Sequence, residues 1–230
     1  LSQKVFCIGR NKTGTTSLKR AFEDLGFKVG NQREAEKLFV NYIENDFDTI
    51  IDYCNTANVF QDVPFSWPDT YKYLDKAFPG SKFILTERDS AEQWYNSITK
   101  FHSKKFADGH RIPTKKDLMN ATYIFKGRPW LTHKHIHGIT GENTYDKETM
   151  IDNYLKHSLE VKEWFKDRPR DLLVLNVADK GSYQKFCEFL KVEPQYDDFP
   201  WENKTSDIST KQNKPKFFVR NVLRKVKEKL

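Results

Sequence analysis

The sequence predicts an α/β fold: one parallel sheet with helices packed on both of its faces. Three observations carry this. Short apolar runs alternate with stretches of helical periodicity along most of the chain. The first apolar run, residues 4–8, feeds through a glycine turn directly into a helical segment. Residues 82–86, KFILT, form a second strand-like run, bounded by Pro79-Gly80 and by a charged turn.

The elements follow in order. Residues 4–8 are the first strand, and residues 16–25 a helix that Gly26 ends. Residues 27–30 have the pattern of a short strand. Residues 34–45 and 47–53 have helical periodicity, and residues 58–61 form a short strand leading into Asp62-Val63-Pro64. Residues 69–78 are helical up to Pro79. After the strand at 82–86, Ser90 and Gln93 form a capping box for a helix running to about residue 104. Residues 148–166 are a long helix, 171–177 a buried strand and 183–191 the last core helix. The interval 106–147 breaks the rhythm with Pro113, Gly127, Pro129, Gly138 and Gly141; a long insertion of this kind over an α/β sheet is expected to act as an acceptor lid. Residues 1–205 are thus assigned to one domain and 206–230 to a tail.

The chain carries 39 Lys and Arg against 32 Asp and Glu, a net charge of +7. Residues 211–230 hold eight of the basic residues and one Glu, so the first 210 residues balance at 31 against 31. A neutral body with a basic tail does not fit a nucleic-acid binder, whose charge lies on the folded surface. Val219, Val222, Leu223, Val226 and Leu230 share one helical face of the tail, a pattern suited to docking on the domain, to an anionic membrane surface or to an acidic partner. Cys7, Cys54 and Cys187 cannot all pair and form no C-x-x-C motif, which fits a reducing, cytoplasmic setting with buried thiols. No run reaches the ~18 apolar residues that span a bilayer.

The chemistry concentrates in residues 4–18, KVFCIGRNKTGTTSL. A glycine turn opening into a helix presents unpaired N–H groups and partial positive charge, which phosphate binds. Against the nucleotide-binding pattern G-x-x-x-x-G-K-[ST], Gly9 and Gly14 match, but Thr15 stands where the lysine belongs and Lys12 lies inside the loop. Lys12-Thr13-Gly14-Thr15-Thr16-Ser17 resembles the 5′-phosphosulfate loop of sulfotransferases that use 3′-phosphoadenosine-5′-phosphosulfate (PAPS) as donor. Residues 82–97, KFILTERDSAEQWYNS, resemble that family's strand and arginine, and residues 172–192 with Phe199-Pro200 its late strand, cofactor loop and helix.

The resemblance implies a three-layer P-loop-type fold and transfer of a sulfuryl group to a small-molecule or carbohydrate hydroxyl, leaving 3′-phosphoadenosine 5′-phosphate (PAP), with no metal. Lys12 would stabilise the leaving phosphate. Arg10, Asn11, Thr13, Gly14, Thr15, Thr16 and Ser17 would complete its cradle. Arg88 would grip the 3′-phosphate with Ser97 or Asn96; the family serine stands eight residues after the arginine, where this chain has Asn96. Asp62 is the candidate base, matching the Asp-x-Pro segment of one subgroup, and His102 the alternative. Tyr183 is a candidate for stacking on adenine, or a core residue. Golgi members carry an N-terminal anchor, and this chain begins at Leu1.

Phe60, Phe65, Trp67, Trp94, Phe101 and Trp130 suggest an aromatic acceptor pocket or a core. His133, His135 and His137 would share a face only in a strand and have no acidic or Cys partner at ligand spacing, so they are expected to be exposed lid residues. Two other functions compete. A small-molecule P-loop kinase would need a lysine at position 15 and acidic Mg²⁺ ligands, for which Asp52 or Asp62 stand available. A noncatalytic nucleotide-fold binding protein would have no need of Lys12 and Arg88.

Overall fold

The structure is a computed structural model that describes residues 3–200. The tail assigned to 206–230 lies outside the described residues. From the amino terminus the chain forms β1 (Val5–Cys7), α1 (Thr15–Asp24) and α2 (Gln32–Ala35), then a 3-10 turn at Glu36–Leu38 and α3 (Phe39–Ile43). Next come α4 (Phe47–Tyr53), β2 (Val59–Gln61), α5 (Thr70–Ala77), β3 (Lys82–Thr86) and α6 (Ala91–Phe106). The insertion holds α7 (Lys115–Asn120), β4 (Thr122–Tyr123), β5 (Phe125–Lys126) and α8 (Arg128–Ile136). The chain returns through α9 (Lys147–Trp164), β6 (Leu172–Leu175) and α10 (Ser182–Leu190).

The main sheet is parallel throughout, in the order β2-β1-β3-β6. Strand residues alternate between its faces because successive Cβ atoms point in opposite directions. Phe6, Ile8, Phe60, Phe83 and Leu85 enter one core with Phe47, Ile50, Tyr71, Leu74, Val161 and Phe165, from α4, α5, α9 and the turn after α9. Val5, Cys7, Val59, Ile84 and Leu175 enter the other with Leu18, Phe22, Phe186 and Cys187, from α1 and α10. These two cores make the three layers of an α/β fold. Cys7, Cys54 and Cys187 are all buried and unpaired, as small apolar residues.

Four departures from the sequence expectations have physical causes. Residues 34–45 are not one helix: Asn31 caps α2, and the chain tightens into the 3-10 turn before resuming as α3. Residues 27–30 contribute one parallel bridge, Val29 to Val59, in place of a strand. β6 is an edge strand and is half-buried, with Val174 38% exposed. The insertion is more ordered than its glycines and prolines suggest, because a Thr114–Asp117 capping box starts α7 and left-handed Gly127 with Pro129 starts α8.

Parallel pairing sends the carboxyl ends of β1, β2 and β3 to the same edge of the sheet, where α/β folds bind ligands. Gly9 sits where β1 leaves that edge: a Cβ there would lie 2.2 Å from Thr86 Oγ1, 2.5 Å from Thr86 N and 2.6 Å from Thr86 O. Backbone cannot yield as a flexible side chain can. Gly9→Ala is therefore expected to destabilise the fold by about 1–3 kcal/mol or more. Urea denaturation measures this, and a variant midpoint equal to wild type would contradict the close approach.

Candidate active site at the carboxyl edge of the sheet

Residues 9–14 join β1 to α1 and turn sharply, with Lys12 at φ 69° and Gly14 at φ 105°. A Cβ on Gly14 would stand 2.3 Å from Val177 Cγ2, so the position needs glycine both for its dihedral and for space. Gly14 provides no side-chain cap for α1, and the first turn of that helix contains no acidic residue, which leaves its N–H groups for an incoming anion. Three consecutive loop carbonyls are occupied. Thr13 Oγ1 donates to Arg10 O (2.5 Å), Trp94 Nε1 to Asn11 O (3.0 Å) and Arg88 Nε to Lys12 O (2.8 Å). With its carbonyls held in this way, the loop keeps its N–H groups for an anion.

The loop forms one wall of a cleft of about 340 Å³. Arg10, Asn11, Lys12, Gly14, Thr15, Thr16, Ser17, Asp62, Arg88 and His102 all line it. Asp62, just beyond β2, has Oδ2 3.4 Å from Thr15 Oγ1 and accepts from Val63 N at Oδ1 (2.9 Å). Asp62 also adopts a left-handed backbone, φ 62°, so two of the three candidate catalytic residues, Lys12 and Asp62, occupy a sparsely populated conformation. The Lys12 ammonium lies over the Phe101 ring, 4.1 Å from its centroid. Arg88 both touches the loop and lines the same cleft, so the two residues expected to bind phosphate stand side by side.

Residues 4–208 match the family model described as a sulfotransferase domain. The chain belongs to that family. Among curated proteins none matches it.

Within this sulfotransferase cleft Arg10, Lys12, Arg88, Lys105 and Arg128 face two carboxylates, Asp62 and Glu36. Burial pushes Lys12 down from its ordinary value, Arg88 adds to the effect, and Asp62 partly offsets it. Burial, followed by the nearby Glu36, pushes the Asp62 carboxyl up. Burial also lowers Arg10 to about 10 and Lys105 to about 8. His102 is held well below its usual value by burial and by His133, Lys105 and Lys12, while its Nδ1 meets Tyr145 Oη at 2.8 Å. Its lowered pKa favours the neutral imidazole.

The remaining sequence candidates fall elsewhere. Thr13 is fully buried and bonds Thr86 Oγ1 at 2.6 Å, which makes its side chain a brace between the loop and β3. Asn96 is exposed and Ser97 partly buried on α6; neither lines the cleft, though Ser97 lies one turn before Phe101, which does. Tyr183 is buried against Phe186 and Phe199, 6.0 and 5.3 Å between ring centroids, the core position that competes with adenine stacking. Of the expected aromatic pocket, Trp67 and Phe101 line the cleft, while Phe60, Phe65 and Trp94 are core residues.

The histidines correct an expectation. His133 and His137 lie at α8 and its end, one turn apart, and are 2% and 6% exposed, so they are buried rather than exposed; His135 alone faces outward. A helix, not a strand, joins the first and third. Among the described residues no cluster of His, Cys, Asp and Glu is arranged to hold a metal ion, and no helix is long and apolar enough to cross a membrane.

Glu36, Lys105, Tyr123 and Arg128 also line the cleft and were not legible as site residues. A signal existed only for Arg128 and Tyr123, which fall within the insertion expected to bind the acceptor.

Proposed function

We propose that this sulfotransferase takes PAPS as donor and moves its sulfuryl group to an acceptor hydroxyl. The observation that carries the reading is the 2.8 Å bond from Arg88 Nε to Lys12 O, which joins two phosphate-gripping residues in one cleft with Asp62. The uncapped start of α1 and the Thr15, Thr16 and Ser17 groups suit the 5′-phosphate; Arg88, which lines the same cleft, suits the 3′-phosphate, with Ser97 or Asn96 of α6 as the partner the resemblance implies. The donor supplies an activated sulfuryl group. Asp62 accepts the acceptor's hydroxyl proton as the acceptor oxygen forms its bond to sulfur. Lys12 stabilises the charge left on the donor's phosphate oxygen as the old S–O bond breaks. In-line geometry is enforced by holding both reactants in the one cleft.

Asp62 beside the loop is also the carboxylate that a Mg²⁺-dependent kinase would use, and one measurement separates the two. PAP should raise the melting temperature well above the effect of ATP or ADP, with or without Mg²⁺. Arg88→Ala should abolish the preference for PAP. An ATP shift equal to that of PAP would reject the donor assignment.

A further inference from the structure

α6 serves as a ruler along the cleft. Trp94, in its first turn, holds the glycine loop; Phe101, about 10 Å further along, meets the Lys12 ammonium; Lys105 follows one turn later, about 6 Å on. Beyond the Lys12 and Asp62 centre, away from Arg88, the cleft therefore continues into a second cationic end.

That end is built from the insertion. Arg128 opens α8 and is only 4% exposed, its guanidinium packed over Phe39, Trp67 and Tyr123 at 5.3, 5.8 and 5.5 Å from the ring centroids. Its Nε and Nη2 are buried without a hydrogen-bond partner, and no carboxylate among the described residues stands within ion-pairing distance. The nearby Glu36 accepts from the Tyr123 hydroxyl and from Arg33 Nη1 (3.5 Å). Lys105 Nζ lies 3.6 Å from the Tyr123 ring centroid, likewise with no carboxylate in ion-pairing distance among the described residues. A buried cation with no ion-paired carboxylate is costly to keep, and a fold retains such a group where a ligand compensates it. Arg88 and Lys12 meet at the glycine loop, whereas Arg128 packs among Phe39, Trp67 and Tyr123, so the two cationic groups are held by different parts of the cleft.

We propose that the acceptor carries an anionic group beside its hydroxyl, a carboxylate or an ester of phosphate or sulfate, and that Arg128 and Lys105 select it. The aromatic walls of this end fit a ring or other flat apolar body joining the two groups. The inference rests on the donor reading above.

The test uses the full chain saturated with PAP and titrated by calorimetry with benzoate or benzamide, which share a ring and differ in charge. Benzoate should bind at least tenfold more tightly. Arg128→Gln should weaken benzoate about tenfold while PAP affinity stays within twofold, which also reports that the variant is folded. Lys105→Met should act in the same direction and decides the matter if Arg128→Gln does not fold. Equal binding of the two probes, no benzoate binding, or benzoate affinity unchanged in both variants overturns the proposal. The same titrations on the free protein keep the outcomes apart: loss of PAP binding alone sinks the donor reading, whereas a benzoate preference that vanishes in Arg128→Gln still supports the anionic acceptor.

Discussion

Asp62→Asn is expected to lower kcat about 10²–10⁴-fold, the range over which removal of a positioned general base acts. The substitution keeps the size and most of the hydrogen bonding of a side chain held by Val63 N and close to Thr15 Oγ1, so geometry changes little. The sign of the pH dependence follows from the environment. Burial and Glu36 raise the Asp62 pKa, and the base works only when ionised, so activity rises with pH through that raised value. The variant should lose this rising limb. Stability should move the other way: a carboxyl whose folded pKa is raised favours the protonated form, its contribution is lost as pH rises through that value, and the neutral amide avoids the cost. An unchanged or higher melting temperature near neutral pH together with the large loss in kcat would separate a missing base from a misfolded variant. If the rising limb survives in Asp62→Asn and disappears in His102→Asn, the base is His102.

Lys12→Met is expected to cost about 10²–10³ in kcat, as loss of a group that stabilises charge in the transition state does. The methionine stem can still lie on Phe101, and the loop stays pinned through its carbonyls by Trp94 and Arg88, so the donor cradle persists. PAP affinity should therefore fall much less than kcat. Because Lys12 acts as a cation and burial beside Arg88 lowers its pKa, wild-type activity should fall with rising pH before a free lysine would titrate. That falling limb should be absent from the residual activity of the variant. An equal loss in kcat and in PAP affinity would instead make Lys12 a ground-state anchor, with no special part in the transfer step.

The loop at residues 9–17 was legible because its chemistry is contiguous. Two glycines, a lysine and a run of hydroxyls specify a left-handed turn and an uncapped helix start using only near neighbours. Arg88 was legible for a related reason, since it follows an apolar strand and parallel strands end at one edge; Asp62 was singled out only by the resemblance of its Asp-x-Pro segment. The roles within the loop were less legible. Thr13 and Ser17 look alike in the sequence, yet Thr13 turns inward to Thr86 while Ser17 lines the cleft, a choice made by the packing of β3 against β1. Trp94 suggests an acceptor wall by composition and is instead the brace of the loop, 83 residues away in the chain.

The alternation of short apolar strands with amphipathic helices, and the glycine turn that opens the first helix, were written into the order of residues, because each depends on interactions spanning a few positions. The far end of the cleft was not. Glu36 reaches it through a 3-10 turn in a segment with plain helical periodicity, Lys105 from the last turn of α6, and Tyr123 and Arg128 from an insertion whose folding depends on contacts with α3 and with Trp67. These four side chains meet across more than 90 positions, and their convergence is set by how apolar faces pack in three dimensions, a quantity that no local pattern encodes.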